Sequence, residues 1–159
     1  MKLIDALPPF VLVMNFRIKL AILFLSVLLL LPLACQQPSD MATVISVIDG
    51  DTVVIKGGYH VRYIGIDSPE RNELYYAEAK QMNEDLVAGK KVRLESDISD
   101  KDDYGRLLRY VYVGDKFINA EMVKQGYAWA VAYPPDVKYQ VYLEAMEKEA
   151  RQSKRGLWK

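Results

Sequence analysis

The stretch Thr43-Val-Ile-Ser-Val-Ile-Asp-Gly-Asp-Thr-Val-Val-Ile-Lys-Gly-Gly-Tyr-His-Val-Arg-Tyr-Ile-Gly-Ile66 decides the fold. It is rich in β-branched and aromatic residues, which fit the pleated surface of a sheet. We predict strands over residues 43–48, 52–56 and 60–66. Asp49-Gly50 marks the turn between the first two, and Gly57-Gly58 is a favoured tight hairpin turn between the second and third.

The rest of the chain adds two strands and about three helices. Apolar residues recur near a 3.6-residue spacing over residues 72–88, which predicts a helix, and Gly89 follows as a plausible cap. Residues 91–95 and 107–113 read as strands, residues 119–125 as a short helix, and residues 136–154 as a helix capped by Asp136. The sequence therefore predicts an α+β fold that is mainly β: a five-stranded Greek-key barrel of the oligonucleotide-binding (OB) type with about three helices.

The N-terminus reads as a targeting segment. Arg17 and Lys19 precede an apolar run over residues 20–34, which is shorter than the ~20 residues that span a bilayer and fits a secretory signal. The run ends at Leu33-Ala34-Cys35, and Cys35 is the only cysteine. This resembles a bacterial lipoprotein signal, in which the cysteine is lipidated and becomes the new N-terminus.

We therefore divide the chain into a signal peptide (1–35), a linker (36–41) and one domain (42–159). Met14 begins a segment that is a complete signal by itself, so it is an alternative start. We expect the domain to lie outside the cytoplasm, either anchored to a membrane through lipid on Cys35 or secreted. The alternative is an uncleaved anchor with an unmodified cysteine. A monomer is the default oligomeric state.

Charge and metal-ligand content exclude two classes of protein. Residues 36–159 hold 18 basic and 20 acidic residues, whereas a non-specific nucleic-acid coat is strongly basic. Any positive charge used on nucleic acid must therefore be local. The mature chain has one histidine and no unmodified cysteine, so a zinc cluster is not available.

Four short pieces concentrate chemistry within fewer than sixty residues. They are Asp49-Gly50-Asp51-Thr52, Arg62, Asp67-Ser68-Pro69-Glu70 and Tyr104-Gly105-Arg106. Carboxylates hold hard metals or move protons, and guanidiniums grip phosphate through two parallel hydrogen bonds. Taken singly, each piece fits a hairpin turn, a helix entry or a solvated strand residue. Together they favour hydrolysis of a phosphodiester.

These pieces also carry a family resemblance. Residues 47–53, 61–70 and 103–107, with the terminal Arg155-Gly-Leu-Trp158, resemble the signatures of the staphylococcal (thermonuclease-like) nuclease family in order and spacing. The resemblance covers residues 42–158. There is one clear departure: the family's namesake has a long mobile loop after the catalytic glutamate, whereas here Glu70-Arg71-Asn72 runs almost directly into the helix. We expect a more rigidly held carboxylate and a more open cleft.

The resemblance implies a single Ca²⁺ site and assigns its ligands. Asp51 and Asp67 match the calcium-binding carboxylates, and the main-chain carbonyl of Ser68 matches the third ligand, so that Ser in place of the family's Thr matters little. Asp49 matches an outer-shell carboxylate. Calcium prefers such oxygen ligands and tolerates bound water.

The resemblance also assigns the catalytic and substrate-binding residues. Glu70 matches the residue usually assigned as general base, which activates water for attack on phosphorus. Arg62 and Arg106 match the pair that grips phosphate. The side chains expected to line the base and sugar pocket are those of Tyr104, Leu108 and Tyr133.

The resemblance therefore implies a calcium-dependent phosphodiester hydrolase of the thermonuclease-like endonuclease type. Its expected substrates are single-stranded DNA and RNA, cleaved to leave 3′-phosphate ends. A second hypothesis is a non-catalytic OB-fold module that binds nucleic acid or protein at the envelope. A third is a lipid-anchored structural protein. Degenerate modules usually lose the carboxylates or arginines, and here all of them are present.

Overall fold

The computed structural model describes residues 40–159. The predicted signal peptide, Cys35 and most of the linker lie outside the described residues. The β-strands are β1 Met41–Val47, β2 Thr52–Ile55, β3 Tyr59–Tyr63, β4 Ile66–Asp67, β5 Lys91–Glu95, β6 Leu107–Val113, β7 Lys116–Phe117 and β8 Trp129–Ala130. The α-helices are α1 Tyr76–Val87, α2 Ile118–Lys124 and α3 Gln140–Gln152, followed by a 3₁₀ turn at Gly156–Trp158.

Within residues 40–159, five strands form a closed barrel. Antiparallel pairing gives the order β3-β2-β1-β5-β6. A parallel pairing of β3 with β6 then closes the ring, with Val61 opposite Leu107 and Tyr63 opposite Arg109. Closure removes the unpaired edges that an open sheet would expose. The predicted α+β barrel with three helices is confirmed.

The barrel interior is filled by side chains that alternate with outward-facing residues along each strand. Val44, Val53, Val61, Val92 and Val111 are at most 1% exposed. Burying one such side chain contributes roughly 1.5–3 kcal/mol relative to leaving it in water. The period-2 pattern of the opening sequence therefore supplies Val44, Val53 and Val61, while β5 and β6 supply Val92 and Val111.

Several predicted boundaries were wrong in detail. The first strand begins at Met41, one residue inside the predicted linker. The third strand breaks after Tyr63, because the chain turns at Ile64-Gly65 before β4 begins at Ile66. Residues 72–75 form turns instead of the first helical turn, since Asn72 and Tyr75 have positive φ angles of 80° and 67°.

The last helix differs most from its prediction, since it runs from Gln140 to Gln152. Asp136 does not cap it. Instead, its carboxylate accepts N–H groups from Ile98 and Ser99 at 2.9 and 2.7 Å. Asp136 therefore binds two distant main-chain donors and does not make the local cap that the sequence suggested. These two hydrogen bonds fix the loop before β6 against the segment before α3.

The C-terminal turn packs back onto the end of α2. The N–H of Leu157 donates to the carbonyl of Gly126 at 2.8 Å, and the Trp158 ring lies under the Arg151 guanidinium at 3.6 Å. Gly126 has φ +76°, and a Cβ there would overlap the main chain of Arg155. Among the described residues, no helix is long and apolar enough to cross a membrane.

We predict that Gly126→Ala destabilises the domain by about 2 kcal/mol or more, because it adds a steric clash to the cost of a left-handed conformation. Gly89→Ala is the matched control, since Gly89 has φ +69° but open space around its Cβ position. It should cost only the backbone term, about 1 kcal/mol. Urea unfolding of both variants measures the difference. Equal losses would mean that the Gly126 contact does not matter.

Candidate active site

The Asp49-Gly50-Asp51 turn is held by contacts from three directions. The Asp49 carboxylate accepts the N–H of Asp51 at 3.0 Å. The buried Asn83 amide of α1 donates to the Asp49 carbonyl at 2.9 Å. A Cβ at Gly50 would lie 2.6 Å from the Cβ of Ser68, so the turn packs closely against the segment that carries Asp67. These contacts place residues from β2 and β4 in one site.

Arg62 on β3 connects that turn to Asp67. Its guanidinium lies 3.2 Å from Asp51 Oδ1 and 2.7 Å from Asp67 Oδ1. It also donates to the main-chain carbonyls of Tyr63 and Ile66 at 3.0 and 2.8 Å. The guanidinium therefore holds two carboxylates and two carbonyls at once, and its side chain is only 12% exposed.

Asp51 is the most deeply buried carboxylate of the site. It accepts hydrogen bonds from the Ser68 N–H at 2.7 Å and from the Thr52 hydroxyl at 3.0 Å. Burial nevertheless raises its pKa to about 6, with Arg62 opposing the rise and Asp49 adding to it. The raised pKa means that burial disfavours the ionised carboxylate by more than one guanidinium offsets.

Asp67 is the more accessible of the two carboxylates that Arg62 holds. Its side chain is 40% exposed. Burial still raises its pKa, Arg62 opposes the rise, and the carboxylates of Glu73 and Asp49 add to it. The site therefore has one buried and one half-exposed carboxylate, and burial raises the pKa of both.

A cleft of about 260 Å³ opens beside Arg62 on the outer side of the β3–β6 pair. It brings together five of the predicted site residues, although they come from three parts of the chain. The members of this set that line the cleft are Arg62, Tyr104, Arg106, Leu108 and Tyr133. Burial raises the pKa of the Tyr133 hydroxyl, and the nearby Asp67 carboxylate adds to the rise.

Asp102, four residues earlier in the same loop, holds Arg106 at the cleft. The Asp102 carboxylate accepts the Arg106 Nε–H at 2.7 Å and the Arg106 main-chain N–H at 3.0 Å. It also accepts the N–H of Tyr104 at 3.0 Å. Because the pair uses Nε, the terminal Nη groups remain available for a ligand in the cleft.

Glu70 lies apart from these residues, at the exposed end of the segment after β4. Both of its main-chain polar groups are bonded to Glu73. The Glu70 N–H donates to the Glu73 carboxylate at 2.7 Å, and the Glu70 carbonyl accepts the Glu73 N–H at 2.9 Å. Its own carboxylate is exposed and has no partner within residues 40–159. The main chain is held, whereas the carboxylate, which was predicted to be held more rigidly, makes no contact of its own and is free to meet a substrate.

The residues present fit a hard cation. No group of three His, Cys, Asp or Glu side chains that could hold a metal occurs within residues 40–159. The two carboxylates that Arg62 holds are instead oxygen ligands, which suit Ca²⁺ or Mg²⁺ with several waters retained. Burial raises the pKa values of Asp51 and Asp67, and a bound cation would favour their ionised forms.

Sequence reasoning missed two supporting residues. Asn83 is fully buried, and it joins the Asp49 carbonyl to the hydroxyl of Tyr63, which donates to it at 3.0 Å. Asp102 holds Arg106. The signal for Asn83 was a polar residue on the apolar face of a predicted helix, and the signal for Asp102 was a carboxylate four residues before Arg106.

The comparisons with known proteins agree with this geometry. The family described as Staphylococcal nuclease homologue matches residues 60–159. The thermonuclease of Staphylococcus intermedius is 40% identical over 121 residues, covering 70% of this chain and 72% of that protein. An uncharacterized endonuclease of Haemophilus influenzae is 39% identical over 129 residues, covering 79% of this chain and 70% of its own length. The chain belongs to the staphylococcal nuclease family.

The Asp102–Arg106 pair predicts a pH dependence of stability. Burial by itself raises the pKa of Asp102, but the Arg106 and Tyr104 donors outweigh it, so the pKa lies below the ordinary 3.8. A lowered folded-state pKa contributes stability above pH 3.8 that is lost as the pH falls through the folded value.

We therefore expect Asp102→Asn to be less stable than the parent protein at pH 7 and at pH 5, with the difference shrinking below pH 3.8. Urea unfolding at pH 7, 5 and 3 measures it, and Asp115→Asn in the exposed β6–β7 turn is the control. A difference that stays constant across this range would mean that charge pairing at Asp102 contributes nothing.

Proposed function

We propose that this chain, a nuclease by its family, is a calcium-dependent phosphodiester hydrolase that acts on single-stranded DNA and RNA. The observation that carries the proposal is the convergence of Arg62 and Arg106 on one cleft beside a pair of oxygen-donor carboxylates. Two guanidiniums facing one small cavity suit a phosphate that gains negative charge as it is attacked.

In this proposal Arg62 and Arg106 bind the scissile phosphate. Arg106 does so through its Nη groups, while Asp102 holds its Nε and fixes the plane of the guanidinium. Arg62 keeps its contacts with Asp51 and Asp67, so it meets the phosphate from a fixed position. Positioned donors of this kind need little rearrangement as charge develops in the transition state, and they lower the barrier for that reason.

Glu70 takes the proton of the attacking water. Its exposed carboxylate has no partner to give up, and its main chain is held at both ends by Glu73. General-base catalysis by a positioned side chain contributes about 10²- to 10⁴-fold to a rate. The water oxygen bonds to phosphorus as the P–O5′ bond breaks, which leaves a 3′-phosphate on one product and a 5′-hydroxyl, protonated by solvent water, on the other.

A Ca²⁺ ion would be held by Asp51, Asp67 and the main-chain carbonyl of Ser68, with Asp49 outside the first shell. When bound, the ion supplies positive charge to the phosphate oxygens. It would also favour the ionised form of the buried Asp51, since burial raises the pKa of that carboxyl to about 6.

The cleft walls suit nucleotides that are not base-paired. Tyr104 is 86% exposed and Tyr133 is 49% exposed, so both rings are accessible to a base or sugar. Stacking on such rings tolerates any base. A base inside a duplex is already stacked on its neighbours, and for that reason single-stranded or frayed substrates are favoured.

The place of action is proposed from the N-terminal sequence. The apolar run before Cys35 supports export as a lipoprotein or a secreted protein, with the nuclease domain outside the cytoplasm and, in the lipoprotein case, a lipid anchor on Cys35. A monomer is proposed as the default oligomeric state.

Glu70→Gln tests the catalytic role, because it removes the base and keeps the size of the side chain. We expect cleavage of single-stranded DNA to fall by about 10²-fold or more with an unchanged free energy of unfolding, since the carboxylate makes no contact within the described residues. Glu78→Gln, an exposed change on α1, is the control and should cleave normally. Near-normal turnover in Glu70→Gln would remove Glu70 from the mechanism. A parent protein that binds DNA without cleaving it would instead favour a binding module.

A further inference from the structure

A second groove, of about 760 Å³, opens on the barrel away from the residues assigned above. It lies among the starts of β1, β5 and β6, the β2–β3 hairpin and the loop before β6. The residues that line it are Asp40, Met41, Ala42, Thr43, Ile55, Lys56, Tyr59, Lys91, Leu94, Asp100, Lys101, Leu107 and Arg109.

The rim of this groove carries uncompensated positive charge. Lys56, Lys91 and Lys101 are exposed and make no ion pair within residues 40–159. Arg109 does not add to this charge, because its guanidinium is paired with Asp100. Asp40 is the single unpaired acid among the groove-lining residues, so the net free charge is positive in a domain whose overall charge is slightly negative.

The inside of the groove is apolar and its mouth is aromatic. Ile55, Leu94 and Leu107 form much of its floor. The Tyr59 ring stands at the mouth with 58% of its surface exposed. Lysines that follow a groove beside an exposed ring are the arrangement that binds single-stranded nucleic acid without sequence preference, through phosphate contacts and base stacking.

The groove shares an edge with the catalytic cleft. Along the start of β6, Arg106 and Leu108 line the cleft, whereas Leu107 and Arg109 line the groove. In the preceding loop, Lys101 lines the groove and its neighbour Asp102 lines the cleft. The two cavities therefore lie on opposite sides of β6 and the loop before it. A nucleic-acid strand that leaves one cavity over this edge enters the other.

We propose that this groove binds the flank of a single-stranded nucleic acid whose scissile phosphate lies in the cleft. The proposal rests on the nuclease function proposed above and adds a second contact region for the same substrate. A narrow groove with an apolar floor admits one strand with its bases, whereas the flat face of an anionic membrane would touch only the rim. The groove thus makes affinity depend on substrate length.

Fluorescence anisotropy in excess chelator tests this binding apart from cleavage. The probes are a labelled DNA strand of about 12 nucleotides, within the roughly 4–16 that one OB fold covers, and a labelled trinucleotide that fills only the cleft. The variant is Lys56→Ala/Lys91→Ala/Lys101→Ala. The matched control removes three other exposed lysines that line neither cavity, as Lys116→Ala/Lys148→Ala/Lys159→Ala.

We expect the groove variant to bind the long strand about tenfold more weakly and to lower the slope of log K against log salt by about 2, because each lost phosphate contact removes about 0.7. The trinucleotide affinity, the cleavage of short substrates and the unfolding free energy should not change. The control variant should behave as the parent protein does.

Three results would overturn the proposal. The first is that the control variant loses as much affinity for the long strand as the groove variant does. The second is that the groove variant loses as much affinity for the trinucleotide as for the long strand. The third is that the slope of log K against log salt is unchanged in the groove variant. Selective loss of binding to anionic lipid vesicles, with DNA affinity unchanged, would also overturn it in favour of a membrane-facing surface. Length-dependent binding without any cleavage would support the groove and refute the proposed hydrolysis, so the two failures are distinguishable.

Discussion

The buried guanidinium of Arg62 is the contact on which the rest of the site depends. It ties β3 to the β1–β2 turn through Asp51, and to the segment after β3 through Asp67 and two main-chain carbonyls. Breaking such a buried pair by removing one partner typically costs about 3–5 kcal/mol, because the other charge is left uncompensated. The same side chain also faces the cleft, so one residue joins the folding of this end of the barrel to phosphate binding.

The charge balance around Arg62 explains why the site suits both a cation and a phosphate. Asp49, Asp51 and Asp67 lie near a single guanidinium, and the pKa of Asp51 stays raised despite it. Burial is the main cause of the rise, and a cation would favour the ionised forms of these carboxylates. On the other side, Arg106 is held by Asp102 and meets the cleft with its free Nη groups. The parallel β3–β6 pairing brings these two regions together, since Arg62 lies opposite Leu108.

Local signals in the sequence predicted the barrel and the site better than they predicted the connections. The period-2 strands and the Asp49-Gly50 turn follow from neighbouring residues, and the grouping of Arg62, Arg106 and Tyr133 at one cleft agrees with the family resemblance. The true start of α1 was missed because Glu73 bonds to the main chain of Glu70 and delays the helix to Tyr76.

Long-range contacts explain the other misses. Asp136 was predicted as a local cap, but its carboxylate serves two N–H groups nearly forty residues away. Asn83 acts across 34 residues on Asp49. The lysine-rimmed groove is assembled from five strands and a loop, so no single stretch of sequence predicts it. Such features depend on tertiary packing, and spacing along the chain does not reveal them.

Metal-dependent cleavage is the most direct test of the central claim, which joins the carboxylates held by Arg62 to hydrolysis at the neighbouring cleft. The measurement is cleavage of single-stranded DNA by the purified protein in calcium, in magnesium alone and in excess chelator, with Asp67→Asn alongside. We predict cleavage in calcium, none in chelator, and a large loss in the variant, which also controls for a contaminating nuclease. Cleavage that persists in chelator, or that Asp67→Asn leaves unchanged, would contradict it.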